Sequence, residues 1–233
     1  NRIDDYNSLI PNGHKKTTAL PDELPNSLSL AIKSFIITCA IRRLRGQENA
    51  HNSMLVHVSR LIKWQNHIKE LVENTFDFYR RGIEFKTTQI IEEFRQVFEE
   101  DSEGYKSYTT VSQQILDTEL RNIDTNTQVH IWEDVLANLH EAASRIIVKE
   151  INGGSGDVLN YFDHKNGLSV IAIGGDKLSR GLTLEGLSVS YYLRASRMYD
   201  TLMQMGRWFG YRPGYVDLCR LFTSKELNEW FCH

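Results

Sequence analysis

The stretch Ser169-Val-Ile-Ala-Ile-Gly-Gly175 decides the fold that the rest of the sequence must fit. It is a short apolar run, rich in β-branched residues, that ends on two glycines, which predicts a strand buried on both faces. Further strands are predicted at residues 54–58, 146–151, 187–193 and 215–222. Helical or irregular segments separate these strands, and that alternation predicts an α/β fold with a parallel sheet.

Helical patterns fill much of the remaining chain. The pair Asn26-Ser27 can cap a helix that runs to about Arg45, and residues 60–81 repeat apolar side chains at helical spacing. Further helices are predicted at residues 87–99, 107–121, 130–142 and 198–207. We therefore predict a mainly helical insertion at residues 61–144 within a body formed by residues 26–60 and 145–233. Residues 1–25 are polar and irregular, and we expect them to be a linker or tether.

The net charge of −3 is unevenly distributed. Residues 70–141 hold six Lys and Arg against sixteen Asp and Glu, so this segment carries −10 and the remainder +7. Such a basic body is compatible with nucleic-acid binding, and the acidic segment is either functional or a solvated helical face. Three widely spaced cysteines argue against a disulfide framework and favour a cytoplasmic protein. No apolar run approaches the ~18–20 residues that span a bilayer, so no membrane association is expected.

Two segments place arginines beside glycines. Arg180 and Gly181 follow the 169–173 strand, and the stretch Gln204-Met-Gly-Arg-Trp-Phe-Gly-Tyr-Arg-Pro-Gly-Tyr215 carries Arg207 and Arg212. A guanidinium stays charged and can fork onto phosphate oxygens, while glycine lets a ligand approach the backbone. The alternative is an ordinary turn with surface arginines and packed aromatic rings. The arginines among the aromatics favour a phosphate or carboxylate partner, because a buried guanidinium needs one.

Other chemistry has weaker support. The sequence contains no G-x-x-x-x-G-K-[ST] phosphate-binding loop, so a complete nucleotide-hydrolysing site is not expected. Asp77, Glu84 and Lys86 offer the residue types of a metal-dependent nuclease, but they fall in a predicted helix where a nuclease site would use strands. No metal site is predicted.

Several stretches resemble conserved motifs of superfamily-two helicases. The run Arg180-Gly-Leu-Thr-Leu-Glu-Gly-Leu-Ser-Val-Ser-Tyr-Tyr192 resembles motif V, and Gln204-Met-Gly-Arg207 with Gly210-Tyr-Arg212 resembles motif VI. Met54-Leu-Val-His-Val-Ser-Arg60 resembles motif IV, which opens the second RecA-like domain. Together these stretches resemble the Z1 (Z-one) domain family, described as endonucleases. Its members occur in bacterial restriction-modification-like systems beside histidine-kinase-type ATPases, nucleases and methyltransferases.

The resemblance implies a role for each matching residue. Arg207 and Arg212 would supply the arginine finger to ATP, and Gln204 would contact the nucleotide or its water. Coupling between nucleotide and nucleic acid falls to Arg180, Gly181 and Thr183, and nucleic-acid binding to Ser59 and Arg60. Two departures are that Gln204 lies three residues before Arg207, where many helicases have four, and that Thr183 replaces an Asp of many relatives.

The resemblance therefore implies a RecA-like, P-loop NTPase-type fold and an ATP-dependent DNA helicase or translocase. ATP and Mg would be held mainly by a first RecA-like domain that this chain lacks. The implied partners are DNA, that first domain, and nuclease, methyltransferase or histidine-kinase-type ATPase proteins. The alternatives are a metal-dependent DNA endonuclease domain and a non-catalytic protein-docking module.

Overall fold

The computed structural model describes residues 1–11, 13–59, 61–122, 124–151, 159–175, 184–193 and 214–224. Six strands form one sheet in the order β1-β6-β5-β2-β4-β3, and every neighbouring pair is parallel. The strands are β1 (Arg2–Ile3), β2 (Asn52–His57), β3 (Ile146–Ile151), β4 (Ser169–Gly174), β5 (Leu187–Tyr192) and β6 (Arg220–Ser224). The predicted α/β class with a parallel sheet flanked by helices is thus confirmed, and it is compatible with a RecA-like fold.

Strand β2 occupies the centre of the sheet. Met54 pairs with Ile171 of β4 on one side and with Val189 of β5 on the other. Every residue of β2, β4 and β5 is buried, which is why these strands read as unbroken apolar runs in the sequence. From β2 the chain passes to β3 on one side, whereas from β4 it crosses β2 to reach β5 on the other. This reversal makes the carboxyl ends of the central strands the expected ligand site of such a sheet.

Six α-helices accompany the sheet in the described part of the chain. They are α1 (Tyr6–Leu9), α2 (Asn26–Leu44), α3 (Ile62–Glu84), α4 (Thr88–Glu99), α5 (Tyr108–Leu116) and α6 (Trp132–Ser144). Short 3-10 helices lie at Glu119–Asn122, Tyr161–Asp163 and Val216–Leu218. Helix α2 is buried along most of its length because it packs against α4, α6 and the sheet. No helix in these described ranges combines the length and apolar character needed to cross a membrane.

Each face of the sheet has its own hydrophobic core. Neighbouring side chains of a strand point to opposite faces, so Val56 belongs to the core under the helices while Leu55 belongs to the other. The larger core includes Phe35, Val72, Phe94, Leu139 and Val189. The smaller core includes Leu159, Val170, Ala172, Leu184 and Tyr192. Helices of the 61–144 segment therefore share one core with α2 and the sheet; whether that segment is a separate insertion stays a prediction.

Two local predictions differ from the structure. We predicted a strand at residues 215–222, but Val216–Leu218 forms a 3-10 helix and β6 begins only at Arg220. We expected residues 1–25 to be irregular, but Arg2–Ile3 pairs with β6 and Ile3 and Leu9 are buried. In both places contacts with distant parts of the chain decide the local conformation. The helix predicted at residues 198–207 lies outside the described residues.

Candidate functional site

The predicted site residues fall mostly outside the described ranges. Those are Arg60, Arg180, Gly181, Thr183, Gln204, Arg207 and Arg212. In the sequence, residues 176–183 lie in the connection from β4 to β5, and residues 194–213 lie in the connection from β5 to β6. Both connections therefore leave the sheet at the carboxyl ends of the two strands that flank β2. Their roles as site residues stay predictions, and the described surroundings show what this edge can do.

Ser59 is the one predicted site residue that the structure describes. It lies two residues beyond β2 and is buried, at 2% exposure. Its hydroxyl lies 2.9 Å from His14 Nε2 and accepts the Leu61 N–H at 3.1 Å, while its carbonyl accepts from Gln65 Nε2 at 2.9 Å. These bonds shape the turn into helix α3.

Three buried hydroxyls without partners lie on one face near the same edge. They belong to Ser190 and Tyr192 of β5 and to Thr223 of β6, which pairs with Tyr192. None of their oxygens has a hydrogen-bond partner among the described residues. The ring of His57, at the end of β2, lies 5.0 Å from the Tyr192 ring. Burial raises the pKa of Tyr192 to about 12, so its hydroxyl stays protonated and can donate.

Unpartnered buried hydroxyls are rare in folded proteins, because each loses its hydrogen bonds to water. Here the row beside the carboxyl ends of β5 and β6 places hydroxyl groups near the edge from which the two arginine-bearing connections leave. Their chemistry suits oxygen atoms, either of water or of a polar ligand. The sequence did not point to these residues, since Leu187–Tyr192 reads as an ordinary buried strand.

At the amino end of β6, a buried charge cluster holds the end of the Gln204–Tyr215 stretch. We call Arg45, Asp124 and Asp217, with the glycine that they surround, the Gly214 clamp. Asp124 accepts the Gly214 N–H at 2.8 Å, and Arg45 donates to the Gly214 carbonyl at 3.1 Å. Arg45 also forms two bonds of 2.7 Å to Asp217, with both side chains at 1% exposure or less. The Arg42 guanidinium stacks over the Tyr215 ring at 4.2 Å.

The backbone conformation at position 214 favours glycine. Its φ of +102° is one that other residues rarely adopt, and an added Cβ would lie 1.8 Å from Gln47 Nε2. The backbone conformation therefore favours glycine, whereas the end of the Gln47 side chain could move away from an added Cβ. No sequence pattern predicted the Gly214 clamp, because Arg45 and Asp217 are 172 positions apart in the chain. Locally, the Asp124 side chain also accepts the Asn126 N–H at 3.0 Å.

The nuclease candidates do not converge on one site. Asp77 and Glu84 both lie on α3, seven residues and so about 10 Å apart along the helix axis. Asp77 pairs with Arg80 at 3.0 Å. Within the described ranges, no three His, Cys, Asp or Glu side chains come close enough together to hold a metal ion.

These observations define an α/β protein with an all-parallel sheet and helices packed on that sheet. In its sequence, arginines lie in the connections that follow two of the central strands. The chain belongs to the Z1 domain family, whose model matches residues 27–233. That match covers all strands except β1 and includes both arginine segments. No curated protein and no solved structure matches the chain.

Proposed function

We propose that this chain is the second RecA-like domain of an ATP-dependent DNA helicase or translocase. In this proposal Arg207 and Arg212 supply the arginine finger to ATP, which another RecA-like domain holds together with Mg²⁺. Gln204 contacts the nucleotide or its water, and Arg180, Gly181 and Thr183 couple the nucleotide to DNA. The association with a restriction-modification-like system belongs to the same proposal.

The observation that carries the proposal is the order of the strands. Strands β4 and β5 lie on either side of β2, so their carboxyl ends are two strand spacings, or about 10 Å, apart. The connection bearing Arg180 leaves from β4, and the connection bearing Arg207 and Arg212 leaves from β5. Three guanidinium groups thus belong to segments that start at one short stretch of edge. This is the edge at which open parallel sheets bind ligands.

The chemistry follows from charge. In phosphoryl transfer the transferring group carries charge on its equatorial oxygens, and a positioned guanidinium stabilises it. An arginine finger contributes a factor of roughly 10³–10⁵ in rate. The sequence holds no phosphate-binding lysine loop, so this chain alone is expected to hydrolyse essentially no ATP. Closure of the cleft between two domains on ATP, and its opening after hydrolysis, would move the protein along DNA.

The test is the DNA-stimulated ATPase of the natural full-length protein that contains this chain. Arg207→Ala and Arg212→Ala are each made, with Arg95→Ala on the exposed face of α4 as the charge-matched control. We expect at least one of the first two variants to lose about a thousandfold in kcat, and the control to keep its activity. Full ATPase activity in both variants would refute the proposal and favour a docking module.

A second measurement separates the remaining alternative. DNA binding is expected to weaken steeply between low and high salt, because arginines release counterions from phosphates. Cutting of DNA that needs a divalent metal and is lost in Glu84→Ala would instead support the endonuclease. The separation of Asp77 and Glu84 on α3 gives that outcome no structural support.

A further inference from the structure

The buried Arg45 side chain uses all five of its N–H groups, and one of them binds a histidine. Nη1 donates to the Gly214 carbonyl and to Asp217, and Nη2 donates to the Gln128 carbonyl and to Asp217. The fifth N–H, on Nε, is donated to His130 Nε2 at 3.2 Å. The Gly214 clamp is therefore in direct contact with a side chain whose ordinary pKa lies close to physiological pH.

The bond between Arg45 and His130 requires a neutral imidazole. A guanidinium only donates, so Nε2 accepts with its lone pair and the ring proton is on Nδ1. An imidazolium carries a hydrogen on both nitrogens and cannot accept a hydrogen bond. Protonation of His130 therefore removes this bond and places a second positive charge beside the Arg45 guanidinium.

The charged groups that act on the half-buried His130 ring come from three elements. They are Arg45 at the end of α2, Asp217 in the Val216–Leu218 helix and Asp134 in α6. Burial and the Arg45 charge lower the pKa of His130 below 6.5, and the two carboxylates oppose this shift. Because the folded protein favours the neutral ring, this contribution to stability is complete above about pH 6.5 and is lost as the pH falls through the folded pKa.

The loop that carries His130 also holds Gly214 from two sides. Asp124 in this loop accepts the Gly214 N–H at 2.8 Å. Gln128 and His130, farther along the same loop, both accept from Arg45, and Arg45 donates to the Gly214 carbonyl. Both polar groups of the Gly214 backbone thus depend on this loop. A change at His130 reaches Gly214 through one intermediate side chain.

We infer that His130 is a proton-sensitive switch in the Gly214 clamp. At neutral pH the ring fixes the Arg45 guanidinium, and proton uptake in mildly acidic solution breaks that bond and loosens the backbone at Gly214 and at the residues leading into β6. This inference goes beyond the proposed function and does not rest on it.

Amide hydrogen exchange on the full-length protein tests the switch. Exchange is measured at about pH 7.5 and about pH 5.5 and corrected for the intrinsic pH dependence of amide exchange. We expect protection of the Gly214 and Val216 amides, both bound by Asp124, to fall about fivefold at the lower pH, as the loss of one hydrogen bond would give. Protection of the β4 amides should change by less than about twofold. Equal protection of Gly214 at the two pH values would overturn the inference.

Three variants identify the group that takes up the proton. His130→Gln keeps an acceptor oxygen but does not titrate, so the pH effect at Gly214 should shrink below about twofold. His140→Gln, on the exposed surface of α6, is the matched control and should keep the full effect. His130→Ala removes the acceptor, so at about pH 7.5 it should already show the low protection of the unsubstituted protein at about pH 5.5. An undiminished pH effect in His130→Gln, or full protection of Gly214 in His130→Ala, would show that His130 is not the switch.

Discussion

Replacing Asp217 by alanine removes the acidic half of a fully buried ion pair. The carboxylate accepts two bonds of 2.7 Å from Arg45 and one of 2.6 Å from the Ser112 hydroxyl. Without it, the Arg45 guanidinium stays buried with only neutral acceptors, including the carbonyls of Gln128 and Gly214. Breaking such a pair from one side costs about 3–5 kcal/mol, mainly because a buried charge loses its counter-charge.

That cost is large against the whole stability of the domain. The free energy of unfolding of a typical domain is about 5–15 kcal/mol. In a domain of average stability, Asp217→Ala should therefore remove about a third or more of this free energy. Urea unfolding followed by circular dichroism measures the change, with the m-value as the check that one folded state is being compared. Glu73→Ala is the matched control, because its pair with Lys69 lies on the surface of α3. The control should change stability by less than about 0.5 kcal/mol.

The stability effects of changing Arg45 and Asp217 should not be additive. Arg45→Met with Asp217→Leu removes both charges together, so the double variant should be more stable than the sum of the single losses implies. A cost below about 1 kcal/mol for Asp217→Ala at an unchanged m-value would refute the reasoning. Strict additivity of the two single changes would refute it equally, since it would mean that the charges do not interact.

Three further predictions concern the surroundings of single residues. Gly186→Ala places a Cβ 1.8 Å from a backbone oxygen at φ +65° and should cost about 2–3 kcal/mol, whereas Gly46→Ala, at φ +73° with nothing within 4 Å, should cost about 1 kcal/mol by urea unfolding. Ser107→Ala removes the cap of α5, where the hydroxyl accepts a backbone N–H at 3.2 Å, and should cost about 1 kcal/mol in the same assay. Burial raises the pKa of Cys39 from 9.0 to about 12 and that of Tyr192 from 10.0 to about 12. Because folding favours the protonated forms of both groups, their contribution to the free energy of unfolding is complete below pH 9 and is lost as the pH rises through 12. Urea unfolding midpoints should therefore fall between pH 8 and pH 11. Midpoints that stay constant over this range would contradict the prediction.

Local sequence was enough for the elements whose residues are buried on both sides. The apolar runs at β2, β4 and β5 were predicted because a central parallel strand has no solvated face to interrupt the pattern. The start of β6 was predicted wrongly because a distant residue decides the conformation there. Tyr215 and Val216 read as strand residues, but Asp124 holds the Val216 N–H from 92 positions away. Strand β1 has two residues and exists only through its pairing with β6, which no local pattern records.

For the candidate site as well, local sequence predicted some features and not others. Arginines beside glycines were visible in the sequence because motif residues lie close together in the chain. The charged side chains around Gly214 were not visible, because Arg45, Asp124 and Asp217 come from three distant segments and each looks like an ordinary surface residue. Composition left two alternatives open for the acidic helical segment, a functional surface or a solvated helical face. The exposed acids are a solvated face, whereas the single buried one binds the backbone beside Arg212. In this fold the burial of a charge, and not its abundance, distinguishes the acidic residue that binds the backbone of a distant segment.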